Sequence, residues 1–184
     1  MMKKIFLCLS FIIACGGIAR SQELALSTNF VDYASLGTLN LEASLGLSQH
    51  WSINAGVKYN PFSYETGEET FRLKQRQINA GGRYWPWHVY SGWWFSGLIG
   101  YQEYNEGGLL SEVTSEGDRF GAGLGLGYTY MLNAHLNLDI GAGFWGGYDI
   151  YTSYSCAYCG KILDQGGKFF LLPSNILLAL TYIF

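Results

Sequence analysis

Hydrophobic and polar positions alternate with a period of two along most of the chain, which is the pattern of β-strands that have one apolar face. The clearest segment is residues 119–130, where bulky apolar residues alternate with Arg119, Thr129 and a run of glycines. One face of the last ten residues is wholly apolar and consists of Ile176, Leu178, Leu180, Tyr182 and Phe184. The pattern therefore predicts an all-β protein.

Eight segments of about ten residues each show this alternation. The predicted strands are residues 24–35, 39–48 and 51–60, a fourth strand ending at Tyr84, and residues 93–102, 119–130, 136–145 and 175–184. The fifth is apolar on both faces, so its register stays open. The connections after strands two, four and six are short, and those after strands three, five and seven (63–72, 103–117 and 151–168) are long. This arrangement predicts an eight-stranded antiparallel up-and-down transmembrane β-barrel with both termini in the periplasm.

The composition favours a barrel in lipid over a soluble barrel, which would alternate too but with its apolar face inward. Charged residues are 14% of the chain, against about 25% in an average soluble domain. A row of glycines facing water would cost backbone entropy, whereas in a narrow interior it leaves room for large neighbours such as Trp145. Bulky aromatics also gather where an interfacial girdle is expected; these are Trp51, Tyr84, Tyr128, Tyr130, Tyr182 and Phe184. The net charge of -3 argues against a nucleic-acid partner.

The N-terminus has the pattern of a secretion signal, because Lys3 and Lys4 precede an apolar stretch at 5–14. We favour cleavage before Gln22, since strand pattern begins almost at once, which gives residues 1–21 as signal peptide and 22–184 as the barrel domain. The alternative is a lipoprotein signal with an acylated Cys15. Either reading sends the chain across the inner membrane, and with the barrel prediction it points to the outer membrane of a Gram-negative envelope, with outer-membrane lipid as a partner.

The predicted interior carries charge that must be paired. The interior charged residues expected from the alternation are Glu42, Lys58, Arg83, Arg119 and Asp139, and Asp32 or Glu103 would complete the balance. Because side chains just fill an eight-stranded interior, we favour a structural plug of ion pairs over a proton or ion path.

Several motifs resemble a known family: LSTN at 26–29, YNP at 59–61, GRYW at 82–85 and YxxYxCxxCG at 151–160. Together they resemble DUF3575, a family of small outer-membrane β-barrels of unknown function from Bacteroidota. The resemblance implies an outer-membrane barrel with no established activity, and it suggests a surface partner connected with fimbria-type assembly. The end of the chain also resembles the closing strand of outer-membrane barrels, which implies that Tyr182 and Phe184 form an insertion signal read by the barrel-insertion machinery.

Cys156 and Cys159 fall in the last long loop, which is expected to lie in an oxidising or external compartment. Cys8 and Cys15 leave with the signal peptide if cleavage occurs before Gln22. We then favour a small disulfide over metal or redox chemistry, since a zinc site wants four ligands and neither another cysteine pair nor a nearby histidine remains.

The histidines bear on catalysis, because a lipid hydrolase or acyltransferase of this size needs a histidine beside a serine or acid near the outer leaflet. His50, His88 and His135 all fall in the short turns on the opposite side. We therefore expect a structural or accessory membrane protein without cofactor or metal. An outer-membrane lipid-modifying enzyme or lipid-binding barrel remains the alternative.

Overall fold

The computed structural model describes residues 23–66, 69–107, 113–155 and 161–184, and these form one closed sheet with a short helix. The predicted signal peptide and the cysteines Cys156 and Cys159 lie outside the described residues. The elements are β1 (Leu24–Asn29), α1 (Phe30–Ala34), β2 (Leu39–Gly46), β3 (Trp51–Asn60), β4 (Ser63–Thr66), β5 (Glu69–Tyr84), β6 (Gly92–Gly107), β7 (Thr114–Met131), β8 (Leu136–Tyr154) and β9 (Ile162–Ile183).

The sheet closes because β1 pairs with β9 and β3 pairs with β5. Eight strands thus form an antiparallel barrel, as predicted, while β4 is an additional short strand that pairs with β5. No helix among the described residues is long and apolar enough to cross a membrane.

The strands are strongly tilted. Starting at Leu26 and moving from each residue to its paired residue on the next strand, one passes around the barrel through β2 to β8 and arrives on β9 at Leu171. Across the closing seam, however, Leu26 pairs with Tyr182 of β9. Leu171 and Tyr182 are eleven residues apart, and one of the eleven is the extra residue of a bulge in β9 opposite Gly141 and Gly143. A stagger of about ten residues over eight strands corresponds to a tilt of about 40°.

The apolar face of the strands points outward. On β7, Leu124 is 76% exposed and Leu126 53% exposed, while Gly123 and Gly127 on the other face are buried. We call the end with Leu24, Phe184 and the short turns the turn end, and the opposite end the loop end. Exposed aromatics form a turn-end row of Trp51, Tyr84, Trp93, Tyr128, Tyr130 and Tyr182. Registered positions on neighbouring strands form a loop-end row of Tyr101, Phe120, Tyr148 and Phe169.

The first predicted strand, residues 24–35, is wrong in its second half, where the chain forms α1. Asn29 ends β1 and caps the helix, because its side-chain oxygen accepts a hydrogen bond from the Val31 amide at 3.2 Å. Asn29 also extends the seam with β9: it accepts from the Leu178 amide at 3.0 Å and donates to the Ile176 carbonyl at 3.2 Å. This side chain therefore replaces main-chain pairing where β1 stops.

The three long loops predicted at 63–72, 103–117 and 151–168 are also largely wrong, since strands continue into all of them. β5 begins at Glu69, and the β6–β7 and β8–β9 hairpins extend to Gly107 and Tyr154. These extensions carry polar residues on both faces, as the neighbouring Asp164 and Gln165 of β9 do, so they lack the alternation from which strands are predicted. The described barrel is consequently much taller on the β5–β9 side.

The predicted turn after β5 is more than a connection, because it folds into the turn end of the barrel. Trp85, Val89 and Tyr90 are buried there and pack with Ala25 and Trp94. The Trp85 indole donates to the Ser52 hydroxyl at 3.0 Å. The segment thus closes the turn end with an apolar cluster, which we call the turn-end plug.

The structure fixes the register of β6, which the sequence left open. Trp94 is 3% exposed and points inward, whereas Trp93 is 50% exposed and points outward. The inner glycines make room chiefly for Trp94 rather than for Trp145: a Cβ atom on Gly141 would lie 2.8 Å from the Trp94 ring, and one on Gly127 would overlap it.

Candidate functional site: two arginine layers in the barrel interior

The layer nearer the turn end is built around Arg83 of β5, which is 6% exposed. Its guanidinium pairs with Glu42 of β2 and lies 3.8 Å from Asp139 of β8. It also stacks over the Trp94 ring, 4.7 Å from the centroid. Asp139 in turn accepts hydrogen bonds from the hydroxyls of Thr129 and Thr181. Each charged side chain here has a partner of opposite charge, so none is left as an uncompensated buried charge.

The layer nearer the loop end is built around Arg119 of β7. The guanidinium bonds Glu106 at 2.8 Å and the fully buried Asp149 at 3.4 Å. It lies 3.5 Å from the centroid of the Tyr104 ring. The Tyr104 hydroxyl donates to Asp149 at 2.9 Å, so the carboxylate is satisfied from two sides.

The two layers repeat one design. Each has an interior arginine that stacks on an inward aromatic of β6 and pairs with an inward aspartate of β8. The aromatics Trp94 and Tyr104 are ten residues apart, and so are the aspartates Asp139 and Asp149. Even spacing keeps both members of each pair on the inner face of their strand, since side chains alternate with a period of two.

A third ion pair lies beneath α1, where Lys58 of β3 bonds Asp32 of the helix at 2.8 Å. Both side chains line an interior cavity of about 50 Å³, together with Asn54, Arg83 and Trp94. The Asn54 side-chain oxygen and the Trp94 indole nitrogen are buried and make no hydrogen bond to another described residue. The cavity therefore has the room and the polar groups to hold a few water molecules.

The five charged residues that the sequence places in the interior fall into three separate groups in the structure. Arg83, Glu42 and Asp139 come together, Lys58 pairs with Asp32, and Arg119 lies in the other layer. Glu103, the other residue considered for the balance, lies outside, 3.9 Å from an exposed Arg76.

Three partners in the loop-end layer were missed: Tyr104, Glu106 and Asp149. The signal for Asp149 was the alternation itself, since it continues the inward positions of β8 beyond Trp145. The prediction ended that strand at Trp145, four residues before Asp149.

At the loop end, tyrosines bind acidic residues of neighbouring strands. The Tyr151 hydroxyl donates to Asp164 at 2.7 Å, and the Tyr154 hydroxyl donates to Glu116 at 2.8 Å. The hydrogen bond to Asp164 raises the pKa of Tyr151 above its ordinary value, and the bond to Glu116 does the same for the pKa of Tyr154. Both phenols therefore stay neutral and act as donors at physiological pH. Among the described residues, no three His, Cys, Asp or Glu side chains gather as metal ligands.

All three histidines lie at the turn end. His50 Nδ1 is 2.9 Å from the Trp85 carbonyl oxygen, and His135 Nδ1 is 3.0 Å from the Ile183 carbonyl oxygen. His88 Nδ1 is 3.1 Å from the Val89 carbonyl oxygen. These rings bond to main-chain groups of the short turns, on the opposite side of the barrel from the loop-end layer.

The fold and interior define a small closed antiparallel β-barrel filled by two arginine layers. The chain belongs to the family DUF3575, described as a protein of unknown function, which matches residues 5–184. The comparison with curated proteins finds no match.

Proposed function

We propose that the protein is a small outer-membrane β-barrel with a structural or accessory role, its termini in the periplasm and its loop end outside the cell. The observation that carries this proposal is the outer surface of the barrel. Leu124, Ile99 and Phe144 are 76%, 67% and 63% exposed and belong to a continuous apolar band. Water-soluble monomers rarely expose apolar patches larger than a few hundred Å².

The dimensions of the band support a bilayer location. Tyr128 and Phe120 represent the two aromatic rows on β7 and are eight residues apart. At about 3.3 Å per residue and a tilt of about 40°, they are separated by roughly 20 Å along the barrel axis. Transmembrane barrels have an apolar band of about 25 Å between their aromatic girdles.

The filled interior favours a structural or accessory role over that of a channel. The turn-end plug and the two arginine layers occupy successive levels of the interior. The histidines are distant from the loop end, which supports a role without lipid-modifying catalysis. The tall loop-end side of β5–β9 then supplies the surface that would contact a surface protein, such as a component of fimbria-type assembly.

A charge on the outer face tests the membrane location. We expect Leu124→Arg to lower the free energy of unfolding by about 2–3 kcal/mol, because arginine near the bilayer midplane loses its hydration. In water the same substitution at a side chain that is 76% exposed would be almost neutral. The measurement is urea unfolding from phospholipid vesicles.

Leu163→Arg is the matched control, since Leu163 is 51% exposed but lies in the β8–β9 hairpin beyond the loop-end aromatic row. We expect it to change the unfolding free energy by less than about 0.5 kcal/mol. Equal effects of the two substitutions, or recovery of the wild-type chain as a soluble periplasmic protein, would refute the membrane location.

The chain end tests the proposed insertion signal. The Phe184 amide donates to the Leu24 carbonyl at 2.9 Å, and its ring lies 5.0 Å from that of Tyr182. We expect Phe184→Ala to slow assembly in cells severalfold while changing the stability of the folded barrel little, because the ring is 64% exposed. Pulse-chase with gel-mobility detection measures assembly. Tyr130→Ala removes an aromatic that is 61% exposed in the turn-end row and serves as control; an equal delay in both variants would argue against a terminal signal.

A further inference from the structure

The barrel wall is low at one place, between β9 and β3. β1 ends at Asn29 and β2 begins at Leu39, while β9 runs on for many residues beyond their level. Pairing of β9 with β1 ends at Ala179. Beyond the contacts of Asn29, the part of β9 from Ile162 to Ser174 pairs only with β8 among the described strands. We call this gap, floored by α1, the lateral notch.

The lateral notch overlaps the apolar band. The free edge of β9 begins near Ile176, which is seven residues after Phe169 of the loop-end aromatic row, and runs back toward it. In the membrane location proposed above, its lower part therefore opens toward the outer leaflet. An open sheet edge is not stable against hydrocarbon unless something covers it or fills the space behind it.

The inner face of β9 beside the notch changes from charged to apolar. Lys168, Phe170 and Leu172 follow one another on this face, because their registered partners Asp149, Gly147 and Trp145 point inward. Phe170 packs on the Trp145 ring, with centroids 4.7 Å apart. Leu172 faces inward and is nevertheless 38% exposed. The notch thus exposes apolar side chains that belong to the interior.

Lys168 supplies a cation at the upper end of this face. Its side chain is 55% exposed, and its nitrogen lies 3.9 Å from Asp149, which Tyr104 and Arg119 already satisfy. Lys168 and Leu172 are four residues apart, about 13 Å along an extended strand. A cation at this distance above an apolar surface is complementary to an amphiphile with an anionic head group.

Prolines disfavour a β-strand as the occupant. Pro61 follows β3 on one rim of the notch, and Pro173 lies in β9 on the other. Proline has no amide hydrogen to donate, and it is one of the residues that protect sheet edges from strand addition.

We propose that the lateral notch binds one anionic phospholipid of the outer leaflet, with an acyl chain along Phe170 and Leu172 and the phosphate at Lys168. This inference rests on the proposed membrane location and assigns the barrel a specific lipid ligand. The notch joins the apolar exterior to the apolar part of the interior, so a chain can enter without leaving hydrocarbon.

Photo-crosslinking tests chain entry. The full chain is folded into vesicles of palmitoyl-oleoyl phosphatidylglycerol and phosphatidylethanolamine with benzoyl-phenylalanine at position 172, 124 or 98. We expect lipid adducts at 172 and at the outward position 124, and none at the inward position 98, which lies on β6 away from the notch. Adducts at 124 without adducts at 172 would overturn the notch alone, whereas their absence at 124 would refute the membrane location as well.

The amount of phosphatidylglycerol that stays bound to the protein tests the proposed contacts at Leu172 and Lys168. Native mass spectrometry after detergent extraction compares Leu172→Trp with Leu171→Trp. The second substitution adds the same volume at the neighbouring position, which faces outward. We expect the first to lower the phosphatidylglycerol-bound fraction at least about fivefold and the second to leave it unchanged. Lys168→Gln should lower it too, while Lys161→Gln, nearer the hairpin tip, should not. Equal retention within either pair of variants would overturn the assignment of that contact.

Discussion

Arg83→Ala is expected to lower the free energy of unfolding by about 3–5 kcal/mol, because it leaves two carboxylates without their cation inside the barrel. Asp139 is 2% exposed, so it cannot recover its hydration without opening the structure, whereas the Glu42 side chain is 23% exposed and recovers only part of its hydration. The substitution also removes the guanidinium that covers the Trp94 ring. Urea unfolding of the protein in vesicles measures the loss.

Arg76→Ala is the matched control on the same strand. Arg76 lies 3.9 Å from Glu103, and the two side chains are 73% and 51% exposed. Solvent screening should limit its effect to at most about 1 kcal/mol. A triple variant, Arg83→Met with Glu42→Gln and Asp139→Asn, should recover part of the stability, since no charge is then left unpaired. Equal losses for Arg83→Ala and Arg76→Ala would show that the interior ion pairs are not buried from solvent as the structure has them.

Within the apolar band the sequence predicts the faces of β3, β5, β7 and β8, whereas apolar residues on both faces of β6 left its register open. β3 has the predicted bounds, and the outward positions of β7 are the predicted ones. In this band one face of each strand is apolar and the other faces the interior, so a shift of one residue would exchange the two faces and the alternation is strongly specified. Beyond the band the hairpins reaching Gly107 and Tyr154 carry polar residues on both faces and show no comparable pattern.

The pairing of the interior charges could not be predicted, since it depends on tilt and stagger. Arg83 of β5 reaches Glu42 of β2 and Asp139 of β8, although neither strand is next to β5 in the sheet. The contacts cross the interior at a level set by the ten-residue stagger, which alternation alone does not determine. The bulge in β9 adds a second difficulty, because it moves Leu172 and Lys168 to the face opposite that given by counting back from Phe184.

A large side chain on the glycine face of β7 is expected to cause a second large loss of stability. Gly127→Leu is expected to destabilise the barrel by about 3 kcal/mol or more, at or above the usual range for overpacking. A side chain at this position would overlap both the Trp94 ring and the Ile140 carbonyl oxygen of the neighbouring strand. The ring can shift only by disturbing Arg83, which stacks on it, so the strain reaches the turn-end arginine layer.

Ala122→Leu on the same strand separates overpacking from a general intolerance of leucine. Ala122 is exposed on the outer face, so the added carbons meet no packed neighbour and the stability should change by less than about 0.5 kcal/mol. Combining Gly127→Leu with Trp94→Ala should cost less than the sum of the two single changes, because the second removes one of the overlapping groups. Strict additivity, or equal effects at positions 127 and 122, would contradict the inward direction of the glycine face. A sub-additive result would identify the volume of Trp94 as the reason that β7 carries glycine at this level of the barrel.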